Sequence, residues 1–267
     1  MRRIAAALFC WLLGSVAAAE TNPFPEVASA YLVQIGDRDL WAADPDKRLA
    51  PASLTKIMTA LLVLEDYRPR EPVTISRAAA RETGARLGLR HGDRLPVEAL
   101  LAATLVGSAN DACHALAEHY AATVADFVER MNRRAAALGL TNTRFANPCG
   151  FDAPDHYSSA RDLARLTHAA LAHPEFAATV ARPEVRIVST DGKRTFRVGN
   201  KNALIGNYAP AIGVKTGYTS RAGRCLIVLA EKNGTRVLLT MLGARERWWD
   251  AIGILEWAFD AAADAAR

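Results

Sequence analysis

Apolar positions along this chain change their period twice. Near the start, Ala28–Ile35 ("ASAYLVQI") and residues 39–43 ("DLWAA") alternate as strands do, and Gly36 and Asp37 between them predict a hairpin. From residue 53 to about residue 173 the spacing becomes helical. Leu54, Ile57, Met58, Leu61, Leu62 and Leu64 recur so densely that they predict an interior helix, with Pro51 at its start. The segments "LPVEALLAATLV", "DACHALAEHYAATVADFVERMNRRAAALG" and "SSARDLARLTHAALA" continue the pattern. Strand chemistry returns in "GRCLIVLAEK" and "TRVLLTMLG", which flank the turn pair Asn233 and Gly234, and the chain closes on a helix, "RWWDAIGILEWAFDAAA". Strands at both ends with helices between predict one α+β unit, its sheet assembled from N- and C-terminal segments around a helical insert.

The opening residues change the address rather than the fold. Arg2 and Arg3, an apolar run too short for a good membrane span, and small residues at Ala17 and Ala19 predict that residues 1–19 are a removed signal peptide. The expectation is then an exported, soluble, periplasmic chain of residues 20–267, a single domain. No later stretch has the unbroken apolar length of a membrane span, and Cys10 lies inside the leader's apolar run rather than at the cleavage site, so no lipid anchor is expected. The final "AFDAAADAAR", with Asp260 and Asp264, suits neither insertion nor attraction to anionic lipid. Without Arg2 and Arg3 the formal charge falls from +5 to +3, with no basic block, which argues against nucleic acid. Cys113, Cys149 and Cys225 fit neither a disulfide framework nor a zinc site, and Cys113 and Cys225 read as small core residues.

Three short motifs do not fit a purely structural account. Ser53 and Lys56 stand one helical turn apart at the start of the apolar helix, close enough for hydroxyl and amine to touch. "GSANDA" places Ser108 and Asn110 at a loop entering a helix, and "GVKTGYTS" places Lys215, Thr216 and Gly217 just before a strand. Chance S-x-x-K or S-x-N is common at this length, but chance K-T-G is expected in only about one such chain in twenty. A lysine in an apolar first turn, facing a second cation such as Lys215, has its pKa lowered by desolvation and repulsion, which suits it to take a proton from serine.

On "PASLTKIMTA", "LRHGDRLPVEALLAATLVGSANDA", "NPCGFDAPDHYSSARDLARL" and "GVKTGYTSRAGRCL", the chain resembles the serine penicillin-recognising enzymes, most closely the low-molecular-weight D-alanyl-D-alanine carboxypeptidases. The resemblance implies a β-lactamase/transpeptidase-like α+β fold, with an antiparallel sheet flanked by helices. It implies Ser53 as nucleophile, Lys56 as base, Ser108 as proton relay to the leaving amine and Asn110 as the holder of the substrate backbone. Lys215 and Thr216, with Arg247 in preference to Arg245, would bind the terminal carboxylate. Gly217 would leave room for the substrate, and the backbone N–H groups of Ser53 and Tyr218 would meet the oxyanion. The implied partners are peptidoglycan stem peptides ending in D-Ala-D-Ala, and β-lactams as covalent inhibitors; no cofactor is implied. Ala109 stands where glycine is common and Tyr218 where some relatives have histidine. The chain also ends where many relatives continue into a β-rich domain and a membrane anchor.

Rival chemistries have weaker support. His156 lies near acids and serines, but no G-x-S-x-G elbow accompanies it, and Ser158 or Ser159 reads as a helix cap with Asp162 in the first turn. His114 and His119, like His168 and His173, are five apart and do not share a face as in H-E-x-x-H, so metal dependence is not indicated. The E-x-x-L-N deacylating pattern of class A β-lactamases is absent, "ERMN" at residues 129–132 being the nearest text. A DD-endopeptidase acting on cross-links is the runner-up, and a stalled wall-peptide or β-lactam binder the reading from a different class.

Overall fold

The computed structural model describes residues 22–265 and 267, and the expected signal peptide lies outside them. Strands β1 (Ala28–Ile35) and β2 (Arg38–Ala43) form the expected hairpin, turned at Gly36, whose φ of 58° only glycine adopts freely. A 3-10 turn, Ala52–Thr55, leads into α1 (Lys56–Leu64), so Ser53 sits just outside the α-helix and makes no cap hydrogen bond. All nine residues of α1 are buried, as the near-continuous apolar pattern requires.

Between α1 and the next long helix runs a two-stranded ribbon of β3 (Pro72–Thr74) and β4 (Arg94–Pro96), with the short α2 (Arg77–Ala80) between them. Then follow α3 (Val97–Val106), α4 (Asn110–Tyr120) and α5 (Val124–Ala137). The sequence predicts the last two as one continuous helical segment. They are broken because Ala121 and Thr123 are extended, and Thr123 accepts a bond from the Asp126 N–H at 3.1 Å, starting a new helix. Next come α6 (Ala160–Leu171), capped by Ser159 through the Asp162 N–H, and α7 (Pro174–Val180). A second ribbon follows, β5 (Glu184–Val188) with β6 (Thr195–Gly199). Neither ribbon is foreseen, because short strands of charged and apolar residues give little periodicity.

The chain ends in β7 (Ala211–Thr219), β8 (Gly223–Lys232), β9 (Thr235–Ala244) and α8 (Arg247–Ala265). The β8–β9 turn has φ of 52° at Asn233 and 78° at Gly234, the two left-handed residues a tight hairpin needs. Lys215, Thr216 and Gly217 lie within β7, paired with Ile227, Leu226 and Cys225 of β8, and not ahead of a strand as the sequence suggests. Gly213 and Gly217 with the polar Lys215, Thr216 and Thr219 dilute its alternation. The sheet order is β2-β1-β9-β8-β7, every neighbouring pair antiparallel, so K-T-G occupies an edge strand.

Both faces of the sheet are covered. Ala30 and Leu32 of β1 join the helical core containing α1, whereas Tyr31 and Val33 pack with Ile254, Leu255 and Phe259 of α8. Cys113 is not the unpaired core residue the sequence suggests: it forms a disulfide with Cys149 across 36 residues, and among the described residues only Cys225 is a buried free thiol. The fold brings α4 against residues 147–150, a proximity that three unpatterned cysteines do not announce. By loop entropy such a bridge is worth about 4 kcal/mol.

The loop at residues 145–151 is held against the start of α1 by close packing and by a buried histidine. A Cβ on Gly150, whose φ is 88°, would lie 1.9 Å from Ala52 O and 2.9 Å from Ser53 N, both backbone atoms that cannot swing aside. His156 Nε2 meets Thr55 Oγ1 at 2.8 Å, and Nδ1 accepts the Ala146 N–H at 2.9 Å, an arrangement that only a ring unprotonated at Nδ1 can make. Burial, chiefly, lowers its pKa to about 4.

Two measurements check this packing. In urea denaturation Gly150→Ala should cost at least about 3 kcal/mol, while Gly139→Ala, left-handed at φ 68° but with open space around it, should cost only about 1 kcal/mol; equal losses would contradict the close approach. The unfolded chain takes up a proton at His156 near pH 6.5 and the folded chain not until about 4, so this stability is present above 6.5 and lost as pH falls toward 4. Wild type should lose up to about 3 kcal/mol more than His156→Gln across that window; parallel pH profiles would refute it.

Candidate active site

The site is assembled where the 3-10 turn of Ser53, the α3–α4 connection, the 147–150 loop and the β7 edge meet. Lys56 Nζ lies 3.0 Å from Ser53 Oγ, 2.7 Å from Asn110 Oδ1 and 2.5 Å from the carbonyl of Cys149. The side chain has no exposed surface. Its pKa is held well below the ordinary lysine value, first by burial and then by Lys215, with Glu82 opposing. A neutral amine has two N–H donors and one lone pair. With Asn110 Oδ1 and Cys149 O taking the donors, the lone pair is left for the Ser53 hydroxyl.

Each partner of that amine is itself fixed. Asn110 begins α4; its Nδ2 donates to Thr83 O at 2.6 Å and its backbone N–H to Ala85 O at 2.7 Å. The carboxylate of Asp111, next along, accepts the N–H groups of Leu87 at 3.0 Å, Gly88 at 2.8 Å and Leu89 at 3.0 Å, anchoring the strip opposite the α3–α4 connection. On the other side, Asn147 Oδ1 accepts from Cys149, Gly150 and Phe151 N–H at 3.2, 2.8 and 3.0 Å, and Thr59 Oγ1 donates to Pro148 O at 2.6 Å. Asp111, Asn147, Thr59 and the Cys149 carbonyl escape sequence reasoning. Only the glycine after Cys149 hinted at a tight loop, since backbone carbonyls have no sequence signature.

Ser108 is almost buried and sits at φ 57°, a left-handed conformation a serine adopts only at a cost. It stands between α3 and the Ala109 that precedes Asn110, so motif spacing places both side chains at the mouth of α4. Gly107 and Ala109 also line a cavity of about 300 Å³ with Arg86, Phe196 and Lys201.

Along β7, Lys215 is buried and donates to Thr216 O at 2.9 Å. Burial, then Arg247 and Lys201, lower its pKa to about 7. Gly217 presses on the Ser53 turn: a Cβ there would lie 3.0 Å from Ala52 Cβ and 3.1 Å from Ser53 N. Tyr218, next along, carries an exposed side chain. Arg247, the first residue of α8, donates to Gly217 O at 3.0 Å and Cys225 O at 3.3 Å, which puts its charge beside K-T-G. Arg245 points away, exposed, toward Glu26 at 4.0 Å. His114 and His119 pair separately with Glu82 and Glu71, and neither joins this cluster.

The constellation has counterparts among known proteins. A family model described as D-alanyl-D-alanine carboxypeptidase matches residues 21–246. D-alanyl-D-alanine carboxypeptidase DacF of Bacillus subtilis is 35% identical over 88% of this chain and 62% of its own length, so the chain spans less than two thirds of that relative. A D-alanyl-D-alanine endopeptidase of Pseudomonas aeruginosa is 34% identical over 77% of this chain and 67% of its own. The crystal structure of the Streptomyces K15 DD-transpeptidase superposes with a TM-score of 0.82 at 31% identity, covering 88% of this chain and 97% of that one. With sequence, fold and the contact of Ser53 with the buried Lys56 in agreement, the chain belongs to the D-alanyl-D-alanine carboxypeptidase family.

Proposed function

We propose that this chain is a serine-type D-Ala-D-Ala carboxypeptidase that removes the terminal D-alanine from peptidoglycan stem peptides through an acyl-enzyme on Ser53. The observation that carries the reading is the fully buried Lys56, its amine boxed by Asn110 and Cys149 with its remaining direction toward Ser53 Oγ. As Ser53 Oγ attacks the penultimate carbonyl carbon, its proton passes to Lys56 Nζ. The oxyanion accepts from the Ser53 and Tyr218 N–H groups. Ser108 relays a proton to the departing D-alanine nitrogen as the C–N bond breaks. Water then hydrolyses the ester, and the same serine is acylated by β-lactams.

Asn110 holds the substrate's backbone against the open β7 edge, and Lys215, Thr216 and Arg247 receive the free carboxylate. A guanidinium fork beside a lysine rewards a chain terminus over an internal amide. A DD-endopeptidase reading is favoured by the Pseudomonas relative of that name. Release of free D-alanine from a pentapeptide supports the carboxypeptidase, whereas cleavage confined to cross-linked dimers supports the endopeptidase. For location we propose export to the periplasm with cleavage before Glu20, supported by the leader pattern and by a disulfide that fits an oxidising compartment.

After penicillin treatment and trypsin digestion, the adduct should be found by mass on residues 49–56, "LAPASLTK"; an adduct on Ser108 or Ser158 would reassign the nucleophile. Lys56→Ala should abolish acylation, and labelling at near wild-type rate would make the lysine structural. Arg247→Ala should raise KM and lower kcat/KM for D-Ala-D-Ala peptides by about 2–4 kcal/mol of transition-state stabilisation, with a smaller effect on penicillin acylation. Unchanged peptide kinetics in that variant, with a loss in Arg245→Ala, would transfer the role.

A further inference from the structure

The two oxygen atoms that take the Lys56 donors belong to separate parts of the chain, and one covalent link joins those parts. Cys149 supplies the first acceptor with its own carbonyl, and Asn110, which supplies the second, lies one helical turn before Cys113 on α4. The Cys113–Cys149 disulfide, with Cα atoms 6.0 Å apart, spans the gap directly behind the amine. We propose that this disulfide is a positioning crosslink for catalysis: it fixes the distance between the two acceptors and thereby aims the Lys56 lone pair at Ser53 Oγ. The proposal rests on the reading of Lys56 as the base.

The other ties act on one side only. Asn147 bonds hold the 147–150 loop to itself, and Thr59 holds it to α1, while Thr83, Ala85 and the Asp111 contacts hold α4 to the strip before β4. Apart from the Lys56 amine itself, which bonds to both, none of these spans directly from the loop to α4. Proton transfer is sensitive to misplacement of the donor–acceptor pair by fractions of an ångström, so slack here acts on the chemical step more than on binding. Both sulfurs are buried, so opening the gap also admits water to Nζ. The charged or titratable groups facing Lys56 are Lys215 on β7, Glu82 after α2, itself bonded to His114 of α4, and His156 before α6. None of them is a half-cystine, so removing the crosslink leaves these charges in place and changes the solvation of the amine.

The test is stopped-flow acylation by a fluorescent penicillin, resolved into the noncovalent Kd and the acylation rate constant across pH. The Cys113→Ala/Cys149→Ala variant is compared with the oxidised chain, with folding followed by circular dichroism. The expected result is a tenfold or greater fall in the rate constant, a Kd within twofold, and an acid limb moved to higher pH as the hydrated amine holds its proton more tightly. A folded variant whose rate constant and pH profile stay within twofold of wild type would reduce the bridge to a staple and overturn the proposal. If the variant does not fold, wild-type chain made in a reducing cytoplasm, its thiols verified by alkylation and mass, is measured the same way. Failure of both preparations to fold overturns the proposal too, since the bridge would then serve folding and not aim. Lys56→Ala in the oxidised chain separates the two ideas: if it acylates normally the base assignment fails, and if it is inactive while the uncrosslinked chain is normal, only the crosslink role fails.

Discussion

Burying an amine without leaving it stranded is the constraint around which the site is arranged. An ammonium inside a protein with no counter-ion is costly, and a neutral amine still demands acceptors for its hydrogens. The Asn110 side chain and the Cys149 carbonyl meet that demand at 2.7 and 2.5 Å without bringing a carboxylate, which would favour the ammonium form and leave no lone pair to take a proton. Lys215 adds repulsion from the opposite wall, and its own pKa is lowered first by burial and then by Arg247 and Lys201. That crowding also makes the neighbourhood of K-T-G and Arg247 attractive to an anion.

The nucleophile turn is gripped from two sides by backbone, and both grips depend on missing side chains. A Cβ on Gly150 would lie 2.9 Å from Ser53 N and could not be accommodated, and one on Gly217 would lie 3.1 Å away, close enough that the turn would have to give by a few tenths of an ångström. The antiparallel order leaves β7 at the edge, so one side of the strand carrying K-T-G is free of sheet partners. An extended peptide laid there would continue the sheet by one strand, which is how a fold made of ordinary hairpins offers a binding surface.

Legibility followed physical range. The two hairpins, the buried α1 and the closing α8 were readable because their periodicity is local. So was the Ser53–Lys56 pairing, since a three-residue helical offset is a geometric fact. The α4–α5 break was hidden by alanines that suit either state, and β7 by its glycines and polar residues. The disulfide, the Asp111 anchor and the Cys149 carbonyl were invisible because each depends on segments brought together only by the completed fold. The arginines illustrate the boundary: Arg245 and Arg247 are indistinguishable as letters, and only the start of α8 turns one toward Gly217 and the other outward.

The complete burial of α1 has a consequence for motion. Its amides have no route to solvent through fraying of an exposed face, so their hydrogen exchange should be governed by openings that involve the surrounding helices and the sheet together. Lys56 therefore stands on an element expected to exchange slowly, while β7 is an edge with one row of backbone groups unpaired by the sheet. On the proposed reading, the base would then stand on a helix with no exposed face, and any adjustment to different acyl donors would fall to the edge strand rather than to α1.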